Sequence, residues 1–434
     1  MVSKDDIDTG TDAIEHLEEE EGELYGLSAL IKDKFQKSED NRLFDEKRWL
    51  RAYRNYRGIY GPDLAFRENE KSKVFVKITK TKVLAAYGQI IEVLFSQGKF
   101  PVAIVPEGVA KYAHLKPENK ATQAEPESPY GFPGDGKEIK PGATINDILG
   151  GLKEEYGSLP FEEGPAPDLK SMPQIEPARE AAENMEKIIH DQLDESLATT
   201  AMRHVIFEMV LLGTGILKGP FNYEKKVHSW NTDEDTDELF YNPKSKSVPK
   251  VEAVSCWDFY QDPEATSLDD CNYVIQRHKL SASSLRDLLN RPFFRKEAIK
   301  DAIQSGPNYE QRSYESSLRD RENEADYEKD RYEVLEYWGK MDKELAEQAG
   351  LTIDDEDIDV LNEVDINAWI CNGYVLRLVV NPFTPSRLPF MVCPYELNPY
   401  QFFGIGVPEN MDDSQQIMNG HARMAIDNLA LAGN

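Results

Sequence analysis

The stretch 390–434, FMVCPYELNPYQFFGIGVPENMDDSQQIMNGHARMAIDNLALAGN, constrains the architecture more than any other part of the chain. It reads as a short apolar strand over 390–393, then Pro394, a turn at Asn398-Pro399, and a glycine-rich bend (Gly404, Gly406, Pro408) leading into a long helix. Asp412 and Asp413 are each followed three residues later by a glutamine (Gln415, Gln416). That spacing predicts a capping box, and the carboxylates suit the positive end of a helix. No proline follows before Ala432, so the helix can run for roughly 30 Å at about 1.5 Å per residue. Met418, Ala422, Ala425, Leu429 and Ala432 recur at spacings of four and three, a narrow seam of small and apolar residues. Gln416, Asn419, Arg423 and Asp427 recur similarly on another face. A helix apolar along a thin seam and polar elsewhere packs against copies of itself or lines something wet.

Upstream, the pattern is helices first and sheet afterwards. Residues 1–40 form an acidic segment with four glutamates at 18–21, expected to be mobile or a solvated helix. Helical patterns are predicted over 27–35 and, separately, over 44–56, where Trp49, Leu50 and Tyr53 share a face. Arg48, Arg51, Arg54 and Arg57 stud the second, and the expectation is that they pair with the acidic tail. Within the region 41–105, Val83, Ala86, Tyr87, Ile90, Ile91, Leu94 and Phe95 give a strong amphipathic helix, followed by a stop at Gly98 and a strand over 102–105. Residues 106–177 are rich in Pro, Gly and acids and read as an insertion or loop with one short helix near 145–156. The region 178–311 opens with one long helix to Leu212, in which His204 is expected to be partly buried. Gly213-Thr214-Gly215 then makes a tight turn into strand. Strands follow near 221–230, 250–255 and 273–278, with an acidic turn at 233–238 and a short helix opened by Ser281. Residues 306–330 read as an exposed link. The region 312–400 holds a half-buried strand over 332–337, an acidic hairpin or helix over 343–359, and a hairpin turning at Asn372-Gly373, whose residues supply the positive φ of a type I′ turn. Residues 401–434 are the terminal helix. The sum is α+β, with a mostly antiparallel sheet region.

No apolar run approaches the roughly 20 residues that span a bilayer, and the acidic start is not a secretory signal. Four scattered cysteines without a C-x-x-C pair read as free buried thiols in a reducing compartment. There is no phosphate-binding loop, no H-E-x-x-H and no G-x-S-x-G elbow. The acidic run at 354–357 lacks the spacing of a cation cage, and Asp262-Pro263 is a turn initiator. The sequence therefore predicts no catalytic residue, no cofactor and no metal. Formal net charge is −29, which argues against a surface that grips nucleic acid.

Three stretches, 388–393, Gly404 to Pro408 (Gly-x-Gly-hydrophobic-Pro) and 413–428, carry a resemblance to the portal proteins, or head–tail connectors, of short-tailed bacteriophages. Weaker likeness extends over 49–61, 184–219 and from Trp257-Asp258 through 262–265 to 280–285. The resemblance implies a wing of helices and sheet leading into a stem helix, with clip, second stem helix and crown not present in this chain. It implies a homo-oligomeric ring, typically a dodecamer, at a capsid vertex of the virion, synthesised in the host cytoplasm. Capsid and scaffolding proteins, the terminase and tail adaptor proteins would be its partners, with double-stranded DNA passing through during packaging and ejection, and no membrane. The polar stripe would face the channel or a second stem helix, and the small-residue seam a neighbour. Under that reading the acidity keeps DNA sliding by repulsion within about 8 Å, or simply keeps a large assembly soluble. Two alternatives remain on the residues alone: a metal-dependent nuclease with dispersed carboxylates, and a generic acidic scaffold or adaptor.

Overall fold

The computed structural model describes residues 4–62, 64–66, 70–96, 100–104, 176–232, 239–318, 330–353, 361–383 and 387–433. They belong to two compact units, Met1–Pro101 with Asp191–Asn434, and Val102–His190.

Helix α1 (Lys4–Arg57) is a single helix of 54 residues where two were expected. No proline precedes Pro62, and the region between the expected helices is carried by i,i+4 pairs: Asp33 with Lys37, Gln36 with Asp40, Arg42 with Glu46. Arg42, which reads as a surface residue in sequence, is fully buried. It donates to Glu46 and to the carbonyls of Cys256 and Phe259 (2.8, 3.0 and 2.7 Å), and its guanidinium lies 3.8 Å from the Tyr260 ring centroid. Helix α2 (Ile78–Phe95) packs the predicted apolar stripe into the core, with Val83 fully buried.

The expected long helix is broken. Helix α3 (Glu176–Glu195) and helix α4 (Ala198–Leu212) are separated at Leu197, whose φ is +55°. Ser196 donates its hydroxyl to the Leu193 carbonyl, a local bond that competes with helix continuation. His204 on α4 is exposed rather than partly buried. In the unit 102–190, residues 102–104 are not a strand; the Ile104 N–H donates to the Glu186 carboxylate of α3 at 3.2 Å. The Pro/Gly-rich stretch lies outside the described residues, except that 176–177 open α3; its expected helix near 145–156, the acidic turn at 233–238 and the run at 354–357 lie outside them too.

After α4 come β1 (Thr214–Val227), β2 (Trp230–Thr232), β3 (Leu239–Tyr241), β4 (Lys244–Val254), β5 (Phe259–Gln261) and β6 (Tyr273–Ser281). Helices α5 (Ala282–Leu288), α6 (Lys296–Gln304) and α7 (Ser313–Leu318) lead to β7 (Arg331–Asp342). Then follow α8 (Lys343–Gln348), β8 (Glu363–Cys371), β9 (Tyr374–Val380), β10 (Phe390–Pro394), α9 (Val407–Asn410) and α10 (Asp412–Ala432). Among the described residues all strand pairs are antiparallel: a meander β5-β6-β7-β8-β9, a sheet β10-β1-β4, and the ribbon β2-β3. The α+β expectation holds. The β8–β9 turn has Asn372 and Gly373 at φ +55° and +87°, and Ser281 caps α5 by accepting from the Ser284 N–H.

Strand β7 is covered on both faces, not one. Leu335 and Tyr337 join Leu27, Ile31 and Phe35 of α1, while Tyr332 and Val334 face Leu285, Leu288 and Ile299. Between the apolar clusters Glu336 is buried with Lys218 at 2.5 Å, and it also meets His278 (2.6 Å) and the Trp338 indole N–H (2.7 Å). Burial alone would raise the Glu336 carboxyl; Lys218 and His278 hold it well below the usual carboxylate range. Part of the expected link at 306–330 is α7, whose Tyr314 is buried with its ring stacked on Trp257. All four cysteines are free, and Cys256 and Cys371 are buried.

Candidate assembly site at the C-terminal loop and helix

Helix α4 ends at Gly213 (φ +96°), which donates back to Met209 and turns the chain into β1. The loop after β10 returns to this corner. Tyr395 N–H donates to the Gly213 carbonyl (2.8 Å) and Gly404 N–H to the Thr214 hydroxyl (2.9 Å). A Cβ at Gly213 would lie 2.3 Å from the Gly404 oxygen, and one at Gly404 2.6 Å from the Glu396 oxygen. The two glycine motifs read separately in the sequence are therefore two halves of one backbone-to-backbone joint, which only residues without a Cβ can close. Phe403 meets Trp49 edge-on at 4.8 Å between centroids, wedging the loop onto α1.

The arginines of α1 hold the same loop. Arg48 donates to Glu409 (2.9 Å), to the Gly404 carbonyl (3.2 Å) and to Gln401 (3.1 Å), besides its own helix's Asp45 (2.6 Å). Burial alone would lower the Arg48 pKa; the Glu409 and Asp45 carboxylates raise it instead. Arg51 pairs with Asp412 at 2.5 Å, and Asn55 donates to the same carboxylate at 2.8 Å. These partners replace the acidic tail that the sequence suggested. The capping box is absent as well: no side chain caps α10. Helix α9 runs into α10 through Met411, so the start is not a free helix end, and the Asp412 carboxylate is taken by Arg51, Asn55 and the Gln416 amide (2.9 Å).

Helix α10 presents three kinds of face. The first docks on the non-helical segment 72–77, which lies in no strand, and on the first turn of α2. Gln415 accepts from the Thr79 N–H and hydroxyl (3.0 and 2.8 Å) and donates to the Val76 carbonyl. Asn419 accepts from the Val76 N–H (2.8 Å) and Asp427 from the Ser72 N–H (2.9 Å). Arg423 lies over Tyr60 and Phe66, 5.2 and 5.4 Å from their centroids. Of the predicted polar stripe only Gln416 is exposed; Asn419 is buried, and Arg423 and Asp427 are half-buried. Gln415, Asn419 and Asp427 are polar because backbone groups of the same chain need partners. Gln415, assigned to a cap in the sequence, is the most buried of them, 1% exposed.

The other faces are bare. Met418, Ala425, Leu429 and Ala432 of the predicted seam are exposed and Ala422 is half-buried. A second apolar line, Ile417, Met424 and Leu431, is exposed too (60%, 55% and 75%). Its spacing of seven was legible in the sequence but was missed. At 3.6 residues per turn the two lines lie roughly 120° apart, one on each side of the docked face. Between them, opposite the docked face, run Ser414, His421 and Asn428. Among the described residues no cluster of His, Cys, Asp or Glu could hold a metal ion, and no helix is long and apolar enough to cross a membrane.

The body fixes one face of α10 and leaves two apolar flanks uncovered. Residues 240–434 match the family model described as Phage SU10 portal protein, so this part of the chain is similar to the portal proteins, the head–tail connectors of bacteriophages. The match takes in 388–393, Gly404 to Pro408 and 413–428; the weaker likenesses at 49–61 and 184–219 lie outside it. Among curated proteins none matches this chain.

Proposed function

We propose that the chain is a subunit of a ring, typically of twelve copies, that forms the DNA channel at one capsid vertex, with α10 as its stem helix. In this reading the ring nucleates the procapsid with capsid and scaffolding proteins, docks the terminase during packaging, and then holds the tail adaptor and passes DNA out. The chain carries no bond-making step. The observation that supports the ring most directly is the pair of bare apolar flanks. Six large apolar side chains of one 21-residue helix are between 40% and 75% exposed, more than an isolated helix face tolerates without a partner. Two flanks on either side of a docked face suit a contact in which each copy uses different surfaces toward its two neighbours, the arrangement that closes rings.

The face opposite the body, Ser414, His421 and Asn428, then turns to the lumen in place of the stripe anticipated from sequence. It bears no carboxylate, so within the stem DNA would slide past a polar wall rather than an acidic one. Negative-stain images of the purified protein test the reading: rings with a central hole are expected, and lone particles at micromolar concentration overturn it. Ala425→Trp puts a large ring into one flank and is expected to abolish rings while leaving the unfolding transition of the chain in place.

A further inference from the structure

Beside the docked face of α10, on the side of Ile417 and Met424, lies a cleft of about 1130 Å³ lined by α1, by the segment around Tyr60 and by Gln416 and Arg423. Its charge is opposite to that of the chain. Five cations line it against two carboxylates, in a protein of net charge −29. Arg48 and Arg51 are matched by Glu409 and Asp412. Lys47, Arg54 and Arg423 have no carboxylate partner among the described residues. Arg423 is the extreme case: its Nε and Nη1 are out of reach of solvent and make no hydrogen bond, while its guanidinium rests on two aromatic rings. A half-buried guanidinium that lines the cleft, with two of its nitrogens unbonded and no carboxylate beside it, is a strong anchor for an incoming carboxylate.

We infer that this cleft receives carboxylate side chains from a second copy of the chain, with Arg423 as the principal contact. The inference rests on the ring reading above and deepens it by naming a polar lock beside the apolar flank. A second copy fits better than a nucleic acid for two reasons. The cations sit in a recess edged by aromatic side chains, which a side chain can enter and a phosphate on a convex duplex reaches poorly. The chain as a whole repels duplex DNA, while its 79 acidic residues outnumber its 50 basic ones, so a second copy carries carboxylates to spare, the densest run being the glutamates at 18–21.

The test uses the full-length chain. Unlabelled and ¹⁵N-labelled protein are mixed, assembled and treated with a carbodiimide, which joins Lys47 directly to any carboxylate it touches. Mixed-isotope peptides linking Lys47 to an acidic peptide of another copy are expected. In Arg423→Gln, sedimentation should show association weakened at least tenfold while the chain still unfolds in one cooperative transition, and Arg423→Lys should recover only part of the association. Rings that form without a Lys47 link, and equally well with Arg423→Gln, overturn the lock but not the ring. A wild-type chain that stays monomeric overturns both. If Arg423→Gln leaves the rings intact and instead lowers the affinity for a labelled duplex tenfold, the cleft binds phosphate and the inference falls.

Discussion

The first and last helices of the described chain use apolar residues in opposite ways. Helix α1 buries Leu27, Ile31, Phe35 and Trp49 and turns its arginines to partners in its own chain. Helix α10 buries Gln415 and Asn419 and leaves Ile417, Leu429 and Leu431 in solvent. Hydrophobic burial holds the first; backbone-directed hydrogen bonds hold the last. The contrast teaches that amphipathicity alone does not say which face of a helix meets its own domain. In the ring proposed above, a helix that keeps its apolar faces for other copies has to be fastened by its polar face.

The largest effect should come from α1. Trp49 is 1% exposed and meets both Trp257 and Phe403 edge-on, so it joins the helix to the sheet region and to the loop that launches α10. Trp49→Ala is expected to cost about 3–5 kcal/mol in urea unfolding, the range for emptying a large aromatic site. A loss below about 1 kcal/mol would show that α1 is not fastened by burial and would break the contrast.

Much of this was legible in sequence, and the misses share a cause. The stripe of α2, the Asn372-Gly373 hairpin and the order strand, glycine bend, helix near the C-terminal end are local patterns with a fixed period, and they appear where expected. The continuity of α1 was hidden because Arg42, a charged residue, fills a core position between two apolar stripes; its partners come from more than 200 residues away. The docked face of α10 was hidden for the same reason in reverse. Asn419 and Asp427 look like a wet surface until the backbone N–H groups of Val76 and Ser72 are beside them. Nothing local tells a polar side chain that serves distant backbone from one that serves water. The joint between Gly213 and Gly404 likewise depends on two turns meeting in space.

An intermediate effect is expected at the docked face. Removing the Gln415 amide leaves the Thr79 N–H and the Val76 carbonyl without their side-chain partner in a buried place, so Gln415→Ala should cost about 1–3 kcal/mol. Hydrogen exchange sharpens the point, because the Thr79 amide should lose protection in this variant before the sheet amides do. Equal protection in both proteins would mean that α10 is held by something other than its polar face.

The smallest effect on the chain itself should come from its most conspicuous apolar residues. Leu429 is 71% exposed and no described neighbour covers it. Leu429→Ser therefore has little burial to lose, and surface changes of this kind stay within about 0.5 kcal/mol. A core leucine would cost several times as much. The same substitution should nonetheless disperse assemblies, because in a ring that side chain would be buried against a neighbour. Unfolding of dilute chain and sedimentation of concentrated chain, measured on one preparation, separate the two quantities. A variant that loses stability when dilute would place Leu429 in the chain's own core. A variant that assembles as wild type would leave this flank of α10 without a purpose, and the opposition between the two helices would lose its explanation.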